Sequence, residues 1–149
     1  MSAGGRNRAE RRLAAILAAD VAGYSRLIGA DEEGTLDRLW SIRAELIDPT
    51  ISAYRGRLVN TTGDGLLAEF ASAVHALRCA TEVQRAIAGR NAAIAAAERV
   101  EFRIGINGGD VVVEDGDIFV DGVNVAARLE APAAPVDICV LALGGALSV

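Results

Sequence analysis

Four polar residues stand out from an aliphatic background because their types and spacing could do chemistry together. Asp20 closes the apolar run of "LAAILAADVAGYS" and opens a glycine-containing turn. Asp64 lies between two apolar runs in "LVNTTGDGLLAEF" (58–70). Asp-Gly supplies the positive φ angles of a two-residue turn, so this stretch reads as a β-hairpin with Asp64 at its tip. If strands 13–21 and 58–63 are neighbours, the two carboxylates converge at one end of a sheet. Paired carboxylate oxygens there suit Mg²⁺, which binds through one or two carboxylates plus substrate phosphates. The turn "VAGYS" would aim backbone N–H groups at an anion, making Tyr24 and Ser25 candidate substrate contacts. Each aspartate also has a plainer explanation, Asp20 as a helix cap and Asp64 as a turn former. In "DIFVDGVNVAARLE", Asn124 and Arg128 are four residues apart and therefore share a helix face. An amide beside a guanidinium fits a sugar beside a phosphate. Capping by Asn124 and a surface ion pair by Arg128 are the competing explanations.

Alternating elements must position these groups. Residues 13–21 form a continuous apolar run whose alanine content allows a helix, but the break at Gly23 suits a buried strand. In "DEEGTLDRLWSIRAELIDPTISAY" (31–54), Leu36, Leu39, Trp40, Ile42, Leu46 and Ile47 fall at mostly helical spacing after an acidic first turn, and Pro49 can start a second helical segment. Residues 72–98 are strongly helical, with Val74, Leu77, Val83 and Ile87 forming much of the apolar stripe and His75 a structural residue. "VEFRIGINGGDVVVEDGDIFVDG" (100–122) alternates and contains Gly-Gly and Asp-Gly, so a second hairpin is expected. A short helix over 121–131, capped by Asp121 or Gly122, and a strand over 136–143 complete the chain. The order β-α-β-β-α-β-β-α-β indicates an α+β sandwich with helices over a mainly antiparallel sheet.

Composition narrows the class. A chain of 149 residues is long enough for one domain with a real core. Its net charge of −5 argues against binding a nucleic-acid polymer across the whole domain. The basic cluster "GRNRAERR" (5–12) reads as a solvated arm, so residues 1–10 are expected to be a flexible N-terminal extension. No apolar run is long enough to span a membrane and no signal-peptide pattern begins the chain, which points to the cytoplasm. Cys79 and Cys139 lack metal-site spacing and read as buried or incidental thiols.

From about Arg11 to about Ala131 the chain resembles the catalytic domain of the class III nucleotidyl cyclases, the adenylate and guanylate cyclases. The resemblance is carried by "AILAADVAGYSRL", "GRLVNTTGDGLLAEF", "FRIGINGGDVV" and "DIFVDGVNVAARLE", four ordered motifs at compatible spacings. It implies a ferredoxin-like α+β sandwich over residues 11–149. It also implies that Asp20 and Asp64, with the backbone carbonyl of Val21, hold two Mg²⁺ or Mn²⁺ ions per site. Asn124 would orient the ribose and Arg128 would stabilise the α-phosphate. The implied reaction is attack of the ribose 3′-hydroxyl on the α-phosphorus of the same nucleotide, with loss of pyrophosphate. A head-to-tail homodimer would face the aspartates of one chain with the Asn–Arg helix of the other.

Base choice rests on Asn60 and Asp117, which occupy the family's base-reading positions. Asp117 can accept from the adenine amino group but meets the guanine carbonyl acceptor to acceptor, while Asn60 suits either base. The balance favours ATP, with GTP as the alternative. Val120 stands where the family usually has Gly, and Gly108 where it often has an apolar residue. From about residue 132 the chain diverges, and "LALGGALSV" does not resemble the family's closing helix and strands, so the last strands are expected to be missing. An active adenylate cyclase domain and an inactive fragment that dimerises or binds nucleotide are therefore both compatible with the residues. A diguanylate cyclase, suggested by "GGD" at 108–110, fits poorly because the acidic and aromatic residues that should follow are absent.

Overall fold

The computed structural model describes residues 10–62, 65–114, 117–119, 138–142 and 145–148. β1 (Glu10–Val21) is followed by α1 (Tyr24–Ala30), α2 (Glu32–Ile42), a π-helical turn (Arg43–Ile47) and α3 (Asp48–Ala53). Next come β2 (Arg57–Thr62), β3 (Gly65–Phe70), α4 (Ala73–Asn91) and a 3₁₀ turn (Ala96–Glu98). β4 (Phe102–Glu114), β5 (Asp117–Phe119), β6 (Ile138–Ala142) and β7 (Gly145–Ser148) complete the order. The strands form one sheet in the order β2-β3-β1-β4-β6-β7, with β5 paired to the far end of β4. Only the β4–β6 pairing is parallel among these. The α+β class and the mainly antiparallel sheet agree with the reading of the sequence.

The neighbour of β1 differs from expectation. β1 pairs with β3, in register from Ala15↔Phe70 to Ala19↔Leu66, and residues 57–62 lie one strand further out. Polarity explains the order. "GLLAEF" carries apolar side chains for both faces and needs an interior place, whereas "RLVNTT" is polar enough for an edge. β1 has the same character. Ala15, Leu17, Ala19 and Val21 pack under the helices, while Ala14, Ile16 and Ala18 pack on the second face with Val59 and Leu67. Burial of both faces is why 13–21 is a continuous apolar run.

The long helical stretch is capped and bent by identifiable residues. The Asp31 side chain accepts from the Gly34 N–H at 3.1 Å, and Glu32 and Glu33 place negative charge at the positive helix end. Pro49 lacks the N–H a regular helix needs, and its ring would crowd the carbonyl of Glu45. The chain widens to a π turn instead, with the Asp48 N–H reaching the Arg43 carbonyl, and the helix continues to Ala53. Leu39, Ile42, Ile47 and Ile51 face the core, joined by Thr35, whose hydroxyl donates to the Leu27 carbonyl at 3.0 Å.

Two residues assigned to apolar stripes are instead on the surface. Trp40 is 73% exposed, because at 100° per residue it lies 100° from Leu39 and 200° from Ile42. Val74 is exposed because nine residues turn it half a revolution from buried Val83. The true stripe of α4 is Ala76, Cys79, Ala80, Val83 and Ile87. The Cys79 thiol is unpaired and buried; desolvation first and the nearby Glu82 charge second push its pKa up to about 12, so it stays protonated.

Gly56, between α3 and β2, is one place where only glycine fits. A Cβ there would overlap the ring of fully buried Phe70. Gly56→Ala is expected to destabilise the fold by about 1–3 kcal/mol, read as a lowered melting temperature. Gly108→Ala is the control, since its Cβ would meet only the Ala73 Cβ at 3.7 Å; it should shift stability by no more than roughly 0.5 kcal/mol.

The second hairpin forms, but Gly108 and Gly109 run through β4 as strand residues, and β5 returns at Asp117. Beyond the expected last strand, β7 pairs antiparallel with β6, Ala142↔Gly145 being the innermost pair.

Candidate functional site

Asp20 is the penultimate residue of β1. Since Ala19 and Val21 point under the helices, alternation sends Asp20 to the second face, shared with Ile16 and Ala18. Its carboxylate stays 24% exposed there. Directly across the β1–β4 ladder is Arg103. The guanidinium forks onto the carboxylate, Nε to Oδ1 at 3.1 Å and Nη2 to Oδ2 at 3.0 Å. A planar two-point contact of this kind is the strong form of an ion pair.

The start of β4 is fixed from the helical side. Gln84 Nε2 donates to the Phe102 carbonyl and Asn91 Nδ2 to the Val100 carbonyl, both at 3.0 Å. The Ala22 N–H donates to the Glu101 carbonyl at 2.8 Å, carrying the β1–β4 contact past Val21. The backbone leading into Arg103 is therefore held both from α4 and from the end of β1. The reading of the sequence missed it. Alternation in "EFRIGI" puts Phe102, Ile104 and Ile106 in the core and leaves Arg103 on the opposite face, but only the strand register identifies its partner.

After buried Val21 the chain turns through Gly23, which adopts the left-handed conformation at φ 65°, and enters α1 directly. Of the stretch expected to be an open turn, Ala22 and Gly23 form the turn while Tyr24 and Ser25 already belong to α1. Tyr24 is half-buried against the main core, and Ser25 is exposed.

β3 begins at Gly65. Its pairing with β1 reaches Ala19↔Leu66, so one further step sets Gly65 beside Asp20. Asp64, Asn124 and Arg128, with the helix expected over 121–131, lie outside the described residues. So does Val120.

Asn60 and Asp117 fall on strands. Asn60 stands opposite Leu67 of β3, after a bulge at Val59 that shifts the register by one residue. Asp117 opens β5 opposite Glu114. β5 pairs with β4 on the side away from β1, yet it also lies against β2. In a flat sheet β5 and β2 would be four strand spacings apart, roughly 19 Å. The ribbon made by the outer parts of β1 and β4 must therefore curl back across the sheet. This brings together the two strands that carry positions 60 and 117.

His75 sits in the first turn of α4, its backbone N–H donating to the Ser72 cap at 3.3 Å. Among the described residues, no group of three or more His, Cys, Asp or Glu gathers to hold a metal. Asp20 offers hard oxygen donors, which fit Mg²⁺ or Mn²⁺ better than a thiolate- or imidazole-seeking ion. An ion there needs ligands beyond the Asp20 carboxylate.

Residues 9–143 match the family model for the adenylate and guanylate cyclase catalytic domain, and the chain belongs to that family. A Rhizobium meliloti (strain 1021) protein named "Putative adenylate cyclase 3" is 50% identical over 125 residues. That match covers 84% of this chain and 21% of the relative, so the chain spans about a fifth of the relative's length. The crystal structure of an adenylate/guanylate cyclase/hydrolase from Silicibacter pomeroyi is 58% identical, with a TM-score of 0.80 over 88% of this chain and 76% of that one. The guanylyl cyclase Cya2 is 25% identical, with a TM-score of 0.77 over 89% and 76% of the two chains. Among the described residues, no helix is long and apolar enough to cross a membrane.

Proposed function

We propose that this domain, over residues 11–149, converts ATP to 3′,5′-cyclic AMP and pyrophosphate at a site shared by two copies of the chain. The observation that carries the reading is the placement of Asp20. It sits on the second face at the end of a central strand, beside the start of β3, and Asp64 directly precedes that start in the sequence. Asp20, Asp64 and the Val21 carbonyl would hold two Mg²⁺ or Mn²⁺ ions, which when bound lower the pKa of the ribose 3′-hydroxyl and neutralise phosphate charge.

The chain's own residues do the rest. Asn124 holds the ribose so that its 3′-oxygen lies in line with the α-phosphorus. Arg128 bears on the negative charge that builds there as pyrophosphate departs. Tyr24 and Ser25 flank the phosphates from the start of α1. Asn60 and Asp117 read the base, and Asp117 favours adenine because it would oppose the guanine carbonyl acceptor to acceptor. The 50% identity to the protein named "Putative adenylate cyclase 3" supports the same choice. Two copies arranged head to tail present the aspartates of one to the Asn–Arg helix of the other. The domain operates in the cytoplasm.

The test is a Mn²⁺-dependent assay with ATP and GTP in parallel, on this chain and on Asp64→Asn. Cyclic AMP from the parent, little cyclic GMP, and no product from the variant are expected. Absence of either product from the parent, with nucleotide still bound, would replace this reading with a binding or dimerisation module.

A further inference from the structure

We propose that Arg103 is a built-in competitor for the divalent ion at Asp20, a positioning residue that occupies the carboxylate when no metal is bound and weakens metal binding in doing so. The inference rests on the metal role of Asp20 given above. Its basis is geometric. Both oxygens of Asp20 accept from the guanidinium, at 3.1 and 3.0 Å, so the two oxygens a cation would use are already engaged. The pair is directly cross-strand, which fixes the backbone separation and makes the contact a property of the fold rather than of two wandering side chains. Arg103 is also anchored through its neighbours, the Phe102 carbonyl by Gln84 and the Ala22–Glu101 hydrogen bond beside it.

The pair is neither buried nor fully solvated, with side chains 31% and 24% exposed. That intermediate setting suits exchange. A fully buried pair would resist opening, and a fully exposed one would be too weak to compete. Without metal, the guanidinium compensates a half-buried carboxylate on a face that it shares with Ile16 and Ala18. With metal, at least one oxygen must turn from the guanidinium to the ion, and the remaining positive charge repels the cation across a few ångströms. Both effects act in one direction, toward weaker metal binding.

The test is Mn²⁺ binding to the full chain without nucleotide, with free Mn²⁺ read by electron paramagnetic resonance. The variants are Arg103→Gln, Arg103→Lys, Asp20→Asn and the Asp20→Asn/Arg103→Gln pair. Arg103→Gln is expected to bind Mn²⁺ roughly 3- to 10-fold more tightly than the parent, and to melt at a lower temperature in metal-free buffer. Arg103→Lys keeps the charge without the fork and should return affinity most of the way to the parent value. In the Asp20→Asn background, Arg103→Gln should change nothing. A purely structural role for Arg103 would instead leave affinity unchanged or reduce it as the fold loosens, and either result overturns the proposal. If Asp20→Asn binds Mn²⁺ as the parent does, the metal role of Asp20 fails and the competitor role falls with it. If Asp20→Asn abolishes binding while Arg103→Gln leaves it unaltered, only the competitor role fails.

Discussion

Arg128→Ala is expected to lower the cyclisation rate by roughly two to three orders of magnitude while leaving the melting temperature within a degree or two of the parent. That is the usual cost of deleting one preorganised group that meets charge developing in a transition state. The loss should fall on kcat rather than KM, because Arg128 is proposed to meet charge that appears only as the bond to pyrophosphate breaks. Arg128→Lys should recover only part of it, since an ammonium supplies charge without the planar two-point contact. Steady-state kinetics with Mn²⁺-ATP, alongside thermal melts, separates the outcomes. A loss confined to KM would make Arg128 a simple phosphate clamp, and no loss at all would remove it from the site.

The second large effect is a recovery. Asp20→Asn and Arg128→Ala chains should each be inactive alone, yet mixing them in equal amounts should restore about a quarter of the parent activity. The figure follows from symmetry. Random pairing makes half the dimers mixed, and each mixed dimer has one site with both defects and one with neither. Refolding or prolonged co-incubation ensures exchange, and cyclic AMP formation is the readout. Activity that stays at background in the mixture would show that each chain completes its site alone. A monomer with measurable turnover would show the same.

Much of the architecture was legible because β1, β3 and α4 announce themselves through period and burial. "LAAILAADV" is apolar on both sides because both faces of β1 are covered. The pairing of 57–62 with 65–70 was legible from two apolar runs around a glycine-containing break, but Gly65 stands in β3 opposite Thr62 rather than in the turn. The helix starts near 31 and 72 were legible, whereas α4 ends at Asn91, short of the expected 98. Three further things were not legible. The first was strand order. Local patterns cannot say whether 57–62 or 65–70 lies against β1, since both are short and extended, and the choice is made by which can bear burial on two faces. The second was α1, because "VAGYS" carries turn residues while Leu27 supplies the tertiary contact that makes helix the better outcome. The third was Arg103. An arginine before "IGI" looks like an ordinary surface charge until the register sets it across from Asp20. The candidate site residues were singled out through type and motif, and their assembly is a question of pairing between distant strands, which spacing along one chain does not encode.

The bulge at Val59 bears on something other than chemistry. β2 is the outermost member of the ladder on its side, and an outermost extended segment normally offers a row of hydrogen-bonding groups to any passing chain. One extra residue between Leu58 and Asn60 breaks that row's regular spacing, and Arg57 sets a charge at its start. The irregularity thus makes this border a less regular template for a foreign strand.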